Sequence, residues 1–116
     1  MHELSVCLSL IEQIQRVAEE NDAQSVTRVE LGIGPLSGVE PELLRNAYPM
    51  AAAGTIAADA ELIITVSEVR VTCNECGAES AASANRLICG ECGDYRTEVT
   101  SGDELILQRL ELADTR

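Results

Sequence analysis

The stretch Cys73-Asn74-Glu75-Cys76-Gly77 and the similar stretch Cys89-Gly90-Glu91-Cys92-Gly93 decide how this chain folds. Each is a Cys-x-x-Cys hook that places two sulfurs on one tight turn, and the glycine that follows can take the positive φ that such turns often need. Two facing hooks would bring four thiolates to tetrahedral reach, which Zn²⁺ prefers in a structural site. Two disulfides or four unrelated thiols are the alternatives, but paired hooks with glycine in the same place favour a metal.

The length and the few aromatic residues limit the core. A chain of 116 residues predicts one domain, or one domain with an insertion. There is no Trp and no Phe, and the aromatic residues are Tyr48 and Tyr95, so the core must be built from Leu, Ile, Val and Ala. A small aliphatic core gives a low free energy of unfolding, and a bound structural metal would raise it.

The charge of the chain restricts its partners. A net charge of −12 argues against nucleic acid and against anionic membrane surfaces, since both are bound through basic groups. It fits either simple solubility or attraction to a basic partner or to cations. The sequence shows no signal peptide and no apolar run of spanning length. We therefore expect a cytoplasmic protein, where thiols stay reduced and available for metal.

Hydrophobic periodicity predicts two helices and three main strands. The helices are expected at 4–21, with Cys7 as a small core residue on its apolar face, and at 40–53, where Pro49 should interrupt or kink the helix. Strands are expected at 25–34, at 60–71 with a bulge or twist near Ser67, and at 104–112, with a further short strand at 95–99.

These elements predict an α+β fold. Two helices would pack on a three-stranded sheet, and a zinc-ribbon-like module with four cysteines would be inserted between two strands of that sheet. We expect residues 1–71 plus 101–116 to form one domain and residues 72–100 to form the inserted metal-binding domain.

The chain opens with Met1-His2-Glu3, and His2 is its single histidine. The α-amine of Met1, the next amide nitrogen and the His2 imidazole can close two fused chelate rings on one metal, and Glu3 can add a fourth donor through its amide or carboxylate. Nitrogen donors in a plane suit Ni(II) or Cu(II). A terminal histidine is more often just a solvated side chain, so the motif alone leaves both interpretations open.

Taken together, these features resemble the HypA/HybF family of hydrogenase nickel-incorporation proteins. The match rests on the opening residues 1–5, Met-His-Glu-Leu-Ser, and on the hook cysteines Cys73, Cys76, Cys89 and Cys92. Supporting matches are the strand at 28–34, the segment at 54–57 and the tail at 101–105. The resemblance runs nearly from end to end.

The resemblance implies a nickel metallochaperone rather than an enzyme. In this interpretation Met1, His2 and Glu3 hold Ni²⁺ as cargo, and the four hook cysteines hold a structural Zn²⁺. The implied partners are a HypB-type GTPase, the precursor of the [NiFe]-hydrogenase large subunit and, for some members, urease accessory proteins. The sequence leaves open whether the chain is a monomer or a homodimer.

Two other function classes remain as alternatives. A rubredoxin-like electron carrier would hold iron in the four cysteines, but it would leave the helices and the larger sheet unexplained. A zinc-ribbon adaptor for transcription or RNA is disfavoured by the acidic charge and the shortage of aromatic residues. Catalysis is disfavoured because four thiolates leave no open metal position for a substrate, and one terminal histidine cannot build a hydrolytic triad.

Overall fold

A computed structural model describes residues 2–113 of the chain. The described elements, in chain order, are α1 (Glu3–Glu20), β1 (Ser25–Ile33), α2 (Pro41–Ala52), β2 (Glu61–Val66), β3 (Val69–Cys73), β4 (Glu79–Ala82), β5 (Thr97–Ser101) and β6 (Leu105–Ala113). They form an α+β fold with two helices and two small sheets, as the sequence predicts. Neither helix in this part of the chain is long and apolar enough to cross a membrane.

The larger sheet, which we call sheet A, has the order β2-β1-β6. Its central strand β1 pairs in parallel with β2 and antiparallel with β6. The parallel pairing requires a crossover, and α2 provides it. The expected three-stranded sheet is therefore confirmed, and its core is aliphatic, with Val29, Leu31 and Ile33 of β1 buried.

Helix α1 buries one stripe of side chains, as its apolar periodicity predicts. Cys7, Ile14 and Ala18 are fully buried. The Sγ atom of Cys7 lies 3.6 Å from the carbonyl oxygen of Leu44 in α2. Cys7 is thus a small core residue at the contact between the two helices, as expected from its place on the apolar face.

Helix α2 runs through Pro49 to Ala52, so Pro49 does not interrupt it, and the alternative of a kink stays a prediction. Proline removes one backbone donor and crowds the preceding turn. Buried side chains nevertheless lie on both sides of Pro49 in sequence, with Leu44 and Tyr48 before it and Ala51 after it. Burial of both turns against the core favours the helical path over the break that propensity predicts.

The single long strand predicted at 60–71 is also wrong. The chain forms two strands, β2 and β3, which belong to different sheets. The break falls at Ser67 and Glu68, where the side-chain alternation changes parity. Sheet B, the second sheet, has the order β4-β3-β5 and carries its own buried residues, among them Val69 and Val71.

The two connections between the sheets are tied together at one junction. Gly34 at the end of β1 donates its amide to the carbonyl of Glu104, at 2.7 Å. The Glu104 carboxylate accepts the amide of Gly102 at 2.7 Å and the hydroxyl of Ser67 at 3.5 Å.

The described molecule is elongated, with extents of 58 × 28 × 17 Å. The division into domains at 1–71 plus 101–116 and 72–100 stays a prediction.

Candidate metal centre

The first hook begins where β3 ends, at Cys73. The Cys73 amide donates to the carbonyl of Ala78 at 2.9 Å, and the Gly77 amide donates back to the carbonyl of Cys73 at 3.0 Å. Gly77 has a φ of 77°, the positive value that the sequence predicts for this turn. The amides of Glu75 and Cys76 point at the Cys73 sulfur, at 3.3 and 3.4 Å.

The second hook repeats this geometry almost atom for atom. The Cys89 amide donates to the carbonyl of Asp94 at 2.9 Å, and Gly93, with a φ of 77°, donates to the carbonyl of Cys89 at 3.0 Å. The amides of Glu91 and Cys92 lie 3.3 and 3.4 Å from the Cys89 sulfur. Amides directed at sulfur stabilise its thiolate form, which is the form that binds metal.

The two hooks face each other and gather four sulfurs. Sγ of Cys73 lies 3.7 Å from Sγ of Cys92, and Sγ of Cys76 lies 3.6 Å from Sγ of Cys89. All four sulfurs lie within 4.8 Å of one another. Zinc–sulfur bonds of about 2.3 Å in a tetrahedron place neighbouring sulfurs about 3.8 Å apart, so the donor set and its spacing fit Zn²⁺.

Electrostatics in the cluster also call for a cation. Hydrogen bonds from the backbone amides of Cys92 and Glu91 lower the pKa of the Cys89 thiol to about 6. The amide of Asp94 favours the Cys92 thiolate, but the Cys73 thiol, burial and the other sulfurs outweigh it and raise the pKa of Cys92 to about 12. Four sulfurs at this distance cannot all be anionic at neutral pH unless a positive ion lies among them.

The other predicted site residues lie at the start of α1. His2 is exposed and stands at the N-cap position of α1, but its side chain makes no capping hydrogen bond. Its carbonyl accepts the amide of Val6 and the hydroxyl of Ser5, both at 2.9 Å. Met1, also predicted as a nickel ligand, lies outside the described residues.

Glu3 differs from His2 because its side chain is only 5 % exposed. Its Oε2 atom accepts the backbone amide of Glu40, at the N-cap of α2, at 3.2 Å. The carboxylate is thus engaged inside the protein. Within residues 2–113, the metal-competent cluster contains the four hook cysteines and neither His2 nor Glu3.

Sequence reasoning missed the charged residues that surround the hooks. Asp94 and Arg96 form a two-bond ion pair, with Nε to Oδ1 at 3.0 Å and Nη2 to Oδ2 at 2.9 Å. Nη1 of Arg96 also lies 3.6 Å from Oε2 of Glu75 in the first hook. The only sequence signal was the position of Asp94 and Arg96 directly after the second hook.

Comparison with known proteins shows which protein family this chain matches. A family model described as "Hydrogenase/urease nickel incorporation, metallochaperone, hypA" matches residues 1–112. The hydrogenase maturation factor HypA of Aquifex aeolicus is 43% identical over 112 residues, which are 97% of this chain and 97% of the relative. The HypA of Nitrosospira multiformis is 45% identical over 115 residues, which cover 99% of this chain and 100% of the relative.

Solved structures resemble the fold as well as the sequence. The solution structure of the Ni metallochaperone HypA from Helicobacter pylori superposes with a TM-score of 0.72 at 29% identity, covering 99% of this chain and 100% of that one. A second solution structure of a HypA protein gives a TM-score of 0.75, also at 29% identity. These matches span both the start of α1 and the two hooks.

Proposed function

Because this chain belongs to the HypA family of metallochaperones for hydrogenase/urease nickel incorporation, we propose that it carries Ni²⁺ as cargo and delivers it during maturation of a [NiFe]-hydrogenase. The role is that of a carrier and not of a catalyst. The observation that supports it most strongly is that the exposed His2 stands at the start of α1, apart from the cluster of four hook cysteines.

The cargo site in this proposal is formed by the α-amine of Met1, the amide and imidazole of His2, and the amide of Glu3. The first amides of a helix have no intrahelical carbonyl partner, and such an amide binds a metal through its nitrogen when the metal displaces its proton. His2 is exposed, which suits an ion that must be taken up and handed on. We favour the amide of Glu3 over its carboxylate, since the carboxylate already accepts a hydrogen bond from Glu40.

The resident metal in this proposal is a structural Zn²⁺ held by Cys73, Cys76, Cys89 and Cys92. Four thiolates complete a tetrahedral shell and leave no position open for exchange or for substrate. When bound, Zn²⁺ supplies the positive charge that lets four neighbouring thiolates coexist. The hooks therefore shape sheet B, while the cargo is handled at the other end of the chain.

The partners in this proposal are a HypB-type GTPase and the precursor of the hydrogenase large subunit, with urease accessory proteins as a second route. We place the exchange in the cytoplasm, where a reducing environment keeps the hook thiols available. A basic partner surface would be attracted by the net charge of −12.

Substitution of the single histidine tests the proposal. His2→Ala should abolish tight nickel binding in calorimetric titration, while zinc content and far-UV circular dichroism stay unchanged. Glu12→Ala, which removes an exposed carboxylate further along the same helix, is the matched control and should bind nickel as the unmodified chain does. Nickel affinity in His2→Ala equal to that of the control would refute the site.

A further inference from the structure

Arg96 contacts the first hook directly and reaches the second hook through Asp94, the residue that follows Gly93. Its side chain makes the two-bond ion pair with Asp94, at 2.9 and 3.0 Å, and its backbone amide donates to the same carboxylate at 2.8 Å. Asp94 is the residue whose carbonyl accepts the amide of Cys89, so this pair secures the exit of the second hook.

Two further contacts join Arg96 to the first hook. Its carbonyl oxygen accepts the amide of Asn74 at 2.8 Å. Its Nη1 atom lies 3.6 Å from the carboxylate of Glu75. Asn74 and Glu75 are the two residues between Cys73 and Cys76, so one residue connects the turns that carry all four sulfurs.

The guanidinium also supplies charge where the cluster is negative. Four thiolates around Zn²⁺ carry a net charge of about −2, and acidic side chains flank them. Asp94 is the main cause of the raised pKa of Arg96, and the sulfurs of Cys73 and Cys92 contribute to it. Between residues 73 and 96 the other basic side chain is Arg86, which is exposed and lies in the turn at 83–86.

We propose that Arg96 is a positioning residue that braces the two hooks and offsets the charge of the tetrathiolate site, and thereby slows the loss of its metal. This proposal rests on the proposed zinc site. Partners beyond the ligands themselves commonly change metal affinity by about 10-fold to 100-fold when removed. The planar fork of arginine suits such a role, because it binds one carboxylate with two parallel bonds and keeps a nitrogen for a second.

The test measures the rate at which the full chain loses zinc to an excess of a metallochromic dye, whose absorbance reports the released ion directly. Arg96→Ala should release zinc about 10-fold faster than the unmodified chain. Arg96→Lys keeps the positive charge but loses the planar guanidinium, so its rate of zinc release should lie between those of the unmodified chain and Arg96→Ala. Arg86→Ala, in the same part of the fold, is the control and should release zinc at the unmodified rate.

Ionic strength separates an electrostatic brace from a purely structural contact. Added salt should speed release from the unmodified chain and narrow its difference from Arg96→Ala, because exposed charges are screened. Equal rates for Arg96→Ala and Arg86→Ala would overturn the proposal, and so would a lysine variant as fast as the alanine variant. Absence of zinc from the purified unmodified chain would instead overturn the proposed zinc site, so the two failures are distinguishable.

Discussion

The carboxylate of Glu3 accepts a hydrogen bond from the backbone amide of Glu40, with 3.2 Å between Oε2 and N. Glu3 opens α1 and Glu40 is the N-cap residue of α2, so this contact joins the beginnings of the two helices. Glu3 directly follows His2 in sequence. This part-buried hydrogen bond ties the residue next to the exposed His2 to the start of α2.

Loss of this contact should destabilise the helix pair. Glu3→Ala removes the charged acceptor of the Glu40 amide, and a hydrogen bond to a charged group contributes about 1.5–3 kcal/mol. We expect the thermal midpoint to fall by about 4 °C, measured by circular dichroism. Glu12→Ala on the exposed face of α1 should leave the midpoint nearly unchanged. Equal midpoints for the two variants would show that the contact does not support the fold.

Replacement of one hook cysteine should loosen sheet B. In Cys73→Ser a hydroxyl replaces a thiolate, so the zinc content should fall well below about one ion per chain, because a structural site needs all its ligands. The melting temperature should fall with it. Cys7→Ser makes the same chemical change at a cysteine outside the cluster and should keep its zinc. Full zinc occupancy in Cys73→Ser would contradict the tetrathiolate site.

A methyl group at Gly34 should disturb the junction between the sheets. A Cβ atom there would lie 2.1 Å from the carbonyl oxygen of Gly102, so backbone would have to move. We expect Gly34→Ala to lower the free energy of unfolding by about 3 kcal/mol in urea titration. In Gly38→Ala the new Cβ lies in open space, so only the positive φ of 82° should lower the free energy of unfolding, by about 1 kcal/mol. Equal losses in the two variants would mean that the close approach is unimportant.

The buried tyrosine predicts a dependence on alkaline pH. The hydroxyl of Tyr48 donates to the carbonyl of Ala57 at 3.0 Å, and burial, with a smaller contribution from Cys7, raises the pKa of Tyr48 above its ordinary value of 10.0. The folded state therefore keeps this proton at pH values where the unfolded chain loses it. Stability linked to Tyr48 is fully present below about pH 10 and falls as the pH rises further.

Tyr48→Phe should remove the part of the stability loss at alkaline pH that comes from ionisation of this tyrosine. Between about pH 9 and pH 11 the free energy of unfolding should fall less steeply for this variant than for the unmodified chain. Tyr95→Phe, at a tyrosine that is 76% exposed, should keep the slope of the unmodified chain. The same slope in all three proteins would contradict a protected Tyr48 proton.

The features that sequence predicted well are those set by local spacing. The apolar stripe of α1, the alternation of β1 and the glycines that end the hooks each depend on residues a few positions apart, and the structure confirms them. Cys-x-x-Cys spacing fixes the turn that presents each pair of sulfurs, so the cluster of four was predictable as well.

The features that sequence missed depend on distant parts of the chain. The strand expected at 60–71 breaks at Ser67, where the chain is hydrogen-bonded to Ile33 and Glu104, and neither is its neighbour in sequence. Helix α2 continues past Pro49 because its last turn is buried, which propensity does not register. The contact of Arg96 with Glu75 spans the whole loop between the hooks, and no spacing rule indicates it.

One measurement tests the central claim, that the start of the chain binds nickel as cargo. Nickel is titrated calorimetrically into untagged protein that begins at Met1 and, in parallel, into a form with one extra residue before Met1. We predict about one tight nickel site in the first and at least a 10-fold loss of affinity in the second, since the extension turns the amine donor into an amide. Equal affinity in the two forms would contradict the account.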